Sequence, residues 1–232
     1  MKTVMITGAN RGIGLEFSRQ YAADGWRVIA CSRDPDKSEA LNRLADQYPD
    51  LIMIYALDVA DHVQIDDLAQ ALVNESIDLL INNAGIYPDS DTGGFGHTDY
   101  VKWMQAFRIN TMAPLKVTEA FYNQVARSNH KTIATVSSLM GSIADNGSGG
   151  SYLYRSSKAA VNMVVKCLAV DLKPAGITAV VLHPGWVKTD MGGPDAMITA
   201  AQSVSGMRHV IGRLTLADSG KFYGYDGQDI PW

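Results

Sequence analysis

Six short, almost continuous apolar runs recur along the chain: Val4–Thr7, Val28–Ser32, Ile52–Leu57, Leu79–Asn83, Ile133–Val136 and Thr178–His183. Strands that lack an alternating polar face are buried on both sides, the condition of a parallel sheet covered by helices. Between the runs, apolar spacing predicts helices over Gly12–Asp24, Pro35–Tyr48, Val63–Val73, Val101–Val125 and Ser156–Lys173. Asp34-Pro35 is a helix start, because proline at the first helical position gives up an N–H that has no helical partner. Pro174 with Gly176 is a helix stop. Alternating strands and helices of this kind build an α/β fold: a doubly wound parallel sheet of about seven strands, helices on both faces, in one domain over residues 1–232. The glycine-rich stretches Gly93–Gly96, Gly147–Gly150 and Gly192–Gly193 read as loops. In such a sheet the loops that follow strands lie at the carboxyl edge, where ligands bind.

The first apolar run leads into Thr7-Gly8-Ala9-Asn10-Arg11-Gly12-Ile13-Gly14, and a helical pattern follows. Glycines let the backbone turn sharply and let a phosphate approach main chain with no Cβ in the way. The helix that starts there aims free N–H groups and its positive dipole end at the loop, so an anion such as a dinucleotide pyrophosphate is the natural guest. The spacing is G-x-x-x-G-x-G rather than the common G-x-G-x-x-G, and a glycine triplet alone also fits an ordinary strand-to-helix turn. The candidate cofactor residues of this loop are Gly8, Asn10, Arg11, Gly12, Ile13 and Gly14.

The second run ends in Cys31-Ser32-Arg33. A site that selects NAD carries a carboxylate there for the ribose 2′-OH. Arg33 suits the 2′-phosphate instead, which a guanidinium grips with two bonds, and Arg11 adds a second positive charge. The reading is NADP(H) preferred over NAD(H); two solvated surface arginines are the alternative. Asp58 and Val59 follow the third run, where a carboxylate accepts from an adenine amino group or caps the next helix. Asn82-Asn83-Ala84-Gly85 ends the fourth run, as a bend beside a ligand or a plain turn, with Asn83, Ala84 and Gly85 as cofactor candidates.

With 232 residues, 47% of them hydrophobic and 19% charged, the chain has the makeup of one soluble globular domain. A net charge of −4 argues against a nucleic-acid surface, which needs a basic stripe. No apolar stretch reaches the length of a membrane span, and no signal-peptide core precedes the first strand, so a cytoplasmic setting is expected. Cys31 in a strand run and Cys167 in a helix read as buried free thiols. Five scattered histidines lack ligand spacing, so no metal site is expected.

After the fifth strand come Ser137-Ser138-Leu139-Met140-Gly141, and further on Tyr154-Arg155-Ser156-Ser157-Lys158 opens the long helix. Tyrosine and lysine four apart share one helix face. A nearby ammonium favours the phenolate and is expected to lower the Tyr154 pKa, so that the phenol acts as general acid or base. A serine hydroxyl opposite can hold the oxygen of a carbonyl being reduced. By itself Tyr-x-x-x-Lys also fits a packing tyrosine beside a surface lysine; the two serines ahead of it tip the reading toward chemistry.

Thr7-Gly8-x-x-x-Gly12-x-Gly14, Asn82-Asn83-Ala84-Gly85, Ser138, Tyr154-x-x-x-Lys158 and His183-Pro184-Gly185 stand in the order and spacing of the short-chain dehydrogenase/reductase family. The chain resembles that family over its whole length. Its ending, Tyr225-Asp226-Gly227-Gln228-Asp229-Ile230-Pro231-Trp232, is similar to that of C-factor and Sniffer-type carbonyl reductases. The resemblance implies a Rossmann fold and a hydride transfer between NADP(H) and a small-molecule carbonyl or alcohol. Tyr154 would be the proton donor or acceptor, Lys158 would hold the nicotinamide ribose, Ser138 would orient the substrate oxygen, and Asn110 would anchor a water of the proton relay. Ser138 is preferred over Ser137 on the same grounds. Pro184, Gly185, Val187 and Thr189 match the segment that meets the nicotinamide. Leu139, Tyr152 and Trp186 are the substrate candidates, and the segment 186–211, with Met191, Met197, Met207 and three glycines, is expected to be an adaptable lid. A surface loop followed by a core-packed helix is the alternative for that segment. A homodimer or homotetramer through the two long helices is expected, since Asp145–Ser151 is too short to block such an interface. A signalling or nucleotide-sensing protein with little turnover is the alternative function, and the complete Ser/Tyr/Lys/Asn set weighs for an enzyme.

Overall fold

A computed structural model describes residues 1–89 and 94–232. Seven strands form one sheet: β1 (Thr3–Thr7), β2 (Arg27–Ser32), β3 (Ile52–Ala56), β4 (Leu79–Asn82), β5 (Thr132–Val136), β6 (Thr178–His183) and β7 (Phe222–Gly224). Their order is β3-β2-β1-β4-β5-β6-β7 and every pairing is parallel. The order reverses between β1 and β4, which makes the carboxyl ends of those two strands the switch point of the sheet.

Alternate residues of each strand enter two separate cores, so both faces demand apolar side chains. Met5, Ile29, Leu80, Ile133 and Val181 face one layer, which holds α3 (His62–Ala71), α5 (Ala113–Ala120) and α7 (Tyr152–Asp171). Val4, Ile6, Val28, Ile81 and Leu182 face the other, with α1 (Gly12–Ala23), α2 (Glu39–Gln47) and α8 (Ala200–Ile211). Each fully buried aliphatic or aromatic side chain contributes about 1.5–3 kcal/mol relative to an exposed one. The six predicted strands are present, shifted by a residue or so at their ends. The seventh, β7, spans three residues and has no run of its own in the sequence.

The predicted helix over Val101–Val125 is interrupted. It consists of α4 (Tyr100–Phe107), a π turn at Arg108–Met112, α5, and α6 (Tyr122–Ala126). In a regular helix the Asn110 carbonyl would bond the N–H of residue 114, but Pro114 has none, and one wider turn absorbs the mismatch. The helix predicted from Pro35 divides at Ser38 into a 3₁₀ turn and α2. Cys31 is buried as expected, whereas Cys167 is exposed. Met163, Cys167 and Val170 recur at helical spacing on the outer face of α7, away from the sheet. Gly93, which begins one predicted glycine-rich loop, lies outside the described residues; Gly94 and Gly96 stand in a turn.

The segment 186–211 is two things. Residues 186–199 form a strap that bonds to itself: Val187 bridges Ile198, Lys188 N–H donates to the Ile198 carbonyl at 2.9 Å, and the Trp186 indole donates to the Gly192 carbonyl at 2.8 Å. Residues 200–211 are α8, which packs Val204, Met207 and Val210 against the sheet. Met207 is fully buried, so the far half of the expected lid is core.

Candidate active site

At the carboxyl end of β1 the chain turns through Gly8 and Gly12 in the left-handed region, φ 68° and 53°. A Cβ on Gly14 would land on the Gly8 carbonyl oxygen, so the first turn of α1 packs directly on the loop. Asn83 fixes the loop from below. Its side-chain amide donates to the carbonyls of Thr7 and Gly8 at 2.9 and 3.1 Å, and its own N–H and that of Ala84 donate to the Thr7 hydroxyl. Asn83 therefore shapes the cradle through its side chain. Among the described residues no side chain caps α1, whose first turn carries no acid. Uncapped N–H groups at a helix start, over glycines that leave no Cβ in the way, fit a dinucleotide pyrophosphate. Asn10 and Ile13 are half-buried in this loop.

Arg33 is exposed at the end of β2, and among the described residues its side chain makes no ion pair or hydrogen bond. Arg11 is also exposed, and its guanidinium pairs with Asp190 at 2.7 Å. A Cβ on Gly12 would come within 3.2 Å of Thr189, so the strap and the glycine loop meet across the cleft. Asp58 is half-buried; its carboxylate accepts from Ala60 N–H at 2.9 Å, while the cap of α3 is Asp61. Val59 is buried in the core beside it.

The chemistry-bearing residues converge at the start of α7. Tyr154 and Lys158 are buried there, and the Lys158 ammonium lies 5.6 Å from the Tyr154 ring centroid. The Lys158 Nζ donates to the Val136 carbonyl at 3.0 Å, at the end of β5. Burial pushes the Tyr154 phenol up to about 12, the Ser138 hydroxyl pulling against it, and pushes Lys158 down to about 8. This reverses the direction expected for Tyr154. Desolvation penalises both the phenolate and the ammonium, and for the phenol it outweighs the opposing pull of Ser138.

Ser137 and Ser138 separate as successive strand residues do. The Ser137 hydroxyl is buried and bonds Asn162 at 2.7 Å. Ser138 is half-buried on the other side, where it accepts from Met140 N–H and bears on the Tyr154 phenol. His183 accepts the Leu139 N–H on Nδ1 at 3.1 Å and so ties down the turn after Ser138. Desolvation pushes His183 down to about 4, which keeps it a neutral acceptor. Gly141 packs on α7 so closely that a Cβ would stand 2.8 Å from Lys158 backbone.

Asn110 reaches the site from the π turn. It accepts from Ile86 N–H at 2.8 Å and donates to the Ile86 carbonyl at 2.9 Å and the Ser157 hydroxyl at 3.0 Å. Gly85 opens the space between them: a Cβ there would meet the Asn110 side chain at 3.2 Å and Lys158 Nζ at 3.6 Å. Pro184, Gly185 and Val187 lie between β6 and the strap; Pro184 and Val187 are buried, and Gly185 takes φ 82° against Ile198 and Tyr225.

Of the substrate candidates, Leu139 is half-buried beside His183, Trp186 is exposed on the strap, and Tyr152 is exposed at the α7 start, where it lines a small cleft with Pro88, Asp89 and Lys102. Tyr87, which carried no signal beyond an aromatic residue after a glycine turn, is part of the site: its ring meets the Tyr154 ring with centroids 4.8 Å apart. A polar cavity of about 340 Å³ opens elsewhere, lined by Lys2, Arg27, Glu75, Asp78 and His130 at the opposite edge of the sheet.

Comparison with known proteins agrees with this geometry. Residues 2–197 match the family model described as short chain dehydrogenase. C-signal of Myxococcus xanthus is 46% identical over 156 residues, 67% of this chain and 93% of that protein. The NADPH-bound carbonyl reductase from chicken fatty liver superposes with a TM-score of 0.92 at 34% identity, over 100% of this chain and 99% of that one. The carbonyl reductase Sniffer of D. melanogaster gives a TM-score of 0.92 at 30% identity, over 100% of both chains.

Proposed function

The chain belongs to the short-chain dehydrogenase family, and from that premise we propose that it is an NADP(H)-dependent oxidoreductase acting between a carbonyl and its alcohol, with Tyr154 as the general acid and base. The observation that carries the proposal is the buried Tyr154 phenol with Ser138 on one side and Lys158 on the other, beside an uncapped glycine cradle. Bound in that cradle, the nicotinamide supplies the hydride.

Tyr154 holds the proton that the substrate oxygen needs when its carbon is reduced. A phenol pushed up to about 12 arrives at neutral pH protonated, the state a reductase requires of its acid. Ser138 donates to the same oxygen and fixes its position. Lys158 lies beside Tyr154, and Asn110 with the Ile86 carbonyl would hold a water through which the spent proton is returned. Lys158 also stands where a ribose hydroxyl would meet it. Gly8, Asn10, Gly12, Ile13 and Gly14 hold the pyrophosphate, Asp58 and Val59 the adenine end, and Arg33 with Arg11 the 2′-phosphate. Ala84, Gly85, Pro184, Gly185, Val187 and Thr189 border the nicotinamide. The NADP and NADPH in solved relatives support this choice of nucleotide.

The substrate is a small molecule with an apolar body, received between Leu139, Tyr152 and Trp186 under the strap 186–199. Exposed apolar residues on α4 and α7 support a homodimer or homotetramer. A signalling role is the second reading, favoured by the likeness to C-signal; the complete set of Ser138, Tyr154, Lys158 and Asn110 supports turnover.

Fluorescence titration with NADPH and NADH, beside an NADPH-oxidation assay on 4-nitrobenzaldehyde, tests the proposal. Tyr154→Phe is expected to lose at least about 100-fold in kcat, the worth of one general acid, with NADPH binding retained. Near-normal turnover by that variant would remove the mechanism, and failure of both nucleotides to bind would remove the enzyme reading.

A further inference from the structure

The start of α7 lacks a cap of its own. Its N-cap residue, Ser151, takes the left-handed conformation at φ 43° and makes no side-chain cap bond. A helix leaves its first N–H groups without intrahelical partners, and orphaned donors beside a buried site are costly. The partner here comes from 64 residues earlier in the chain: Asp89 accepts from Leu153 N–H at 3.3 Å with one carboxylate oxygen and from Tyr154 N–H at 2.8 Å with the other. The second of these donors is the backbone of the proposed proton donor itself.

Two earlier residues on the same segment, Tyr87 and Ile86, reinforce the contact. Tyr87 lays its ring against Tyr154, centroids 4.8 Å apart, and its hydroxyl bonds the Ser151 hydroxyl at 3.0 Å. Ile86 holds Asn110 through both its N–H and its carbonyl. The segment after β4 therefore grips the Tyr154 helix at its first turn and Asn110 at the π turn together. A carboxylate on the positive end of a helix also gains from the dipole, and charge-assisted bonds are about twice as strong as neutral ones.

We infer that Asp89 is a positioning residue for Tyr154, fixing the helix start from outside the helix so that the phenol meets the substrate oxygen. The inference rests on the reading of Tyr154 given above. Asp89 stands apart from the glycine cradle, so its loss leaves nucleotide binding intact. A displaced Tyr154 is less fully desolvated, which moves the basic limb of the kcat profile to lower pH.

The test compares wild type, Asp89→Ala, Asp89→Asn and Tyr154→Phe as full chains. Amide hydrogen exchange at Leu153 and Tyr154 reads the contact directly. Turnover of 4-nitrobenzaldehyde at saturating NADPH, its pH profile and the NADPH Kd read the consequence, all at temperatures that Tm measurements show leave every variant folded. Asp89→Ala is expected to lose protection at both amides and about 10- to 100-fold in kcat, the scale of one to two lost charge-assisted bonds, with NADPH Kd unchanged within about twofold. Asp89→Asn retains an acceptor oxygen and is expected to recover much of the kcat. Unchanged amide exchange in Asp89→Ala, or lost protection with unaltered kcat and pH profile, overturns the inference. Full turnover by Tyr154→Phe overturns the reading of Tyr154 and with it the inference, even where the amides respond to Asp89.

Discussion

Burial opposes charge on both Tyr154 and Lys158, and a protonated phenol is the state that the proposed chemistry calls for. His183 shows the same force in a supporting role. Its imidazole must stay neutral to accept the Leu139 N–H, and desolvation holds it down at about 4, although Asp226 and Asp145 pull the other way. A histidine that binds its proton more weakly when folded leaves the unfolded chain holding more protons between pH 6.5 and about 4. Its contribution is complete above pH 6.5 and is lost as pH falls through the folded value. His183→Gln keeps an acceptor that does not titrate, so urea melts at pH 7 and pH 4.5 are expected to show a smaller acid-side loss than wild type, by on the order of 2 kcal/mol. Equal losses would show that His183 does not titrate in the folding equilibrium. At Arg33, a residue-scale reading of nucleotide choice is open to direct measurement. Arg33→Asp is expected to weaken NADPH binding by about 10- to 100-fold, as for one bidentate charge-assisted contact, while NADH binding holds or improves. Equal binding of both nucleotides by wild type and variant would remove Arg33 from the site.

Elements meet at close approaches that a single methyl group would spoil. The 3₁₀ turn Leu139–Gly141 rests on α7, with a Gly141 Cβ placed 2.8 Å from Lys158 backbone. Gly141→Ala is expected to push that turn off the helix, costing about 1–3 kcal/mol of stability by overpacking and lowering kcat by moving Ser138 from Tyr154. Thermal melts and turnover together check it; an unaltered kcat would mean that the turn yields without moving Ser138. Glycine and serine positions in this turn could be read from the sequence, as could the sheet, because runs buried on both faces leave a continuous apolar record. What the sequence hid lies where local pattern and tertiary contact part. The π turn at Asn110 depends on a missing N–H at Pro114, and helical periodicity runs straight across it. Met207 has the adaptable side chain of a lid residue, yet α8 turns it into the core. Tyr87 and Asp89 act on a helix that starts 60-odd residues later, at separations of 64 and 65 residues, and no spacing rule reaches so far. β7 is held by three ladder positions beside β6 rather than by a run of its own.

Among the described residues, α4 and α7 carry exposed apolar side chains that the sheet does not use. Val101 and Met104 on α4, and Met163 and Val170 on α7, are between 64% and 72% exposed. Exposed apolar side chains on neighbouring helices are the kind of surface through which the proposed dimer or tetramer would form. Light scattering is expected to find a dimer or tetramer, and Met163→Glu with Val170→Glu is expected to shift it toward monomer without loss of fold; a monomeric wild type would leave the face without that role. On the other side of the molecule, the strap meets the glycine loop through Thr189 against Gly12 and Asp190 paired with Arg11. That seam has a kinetic meaning. On the proposed function, a nucleotide seated beneath it would have to part an exposed ion pair in order to leave. Because exposed pairs are screened by salt, release of that nucleotide would become sensitive to ionic strength. Steady-state rates that rose with moderate salt, while hydride transfer in a single turnover stayed level, would put the clock of the proposed reaction at the door rather than at the chemistry.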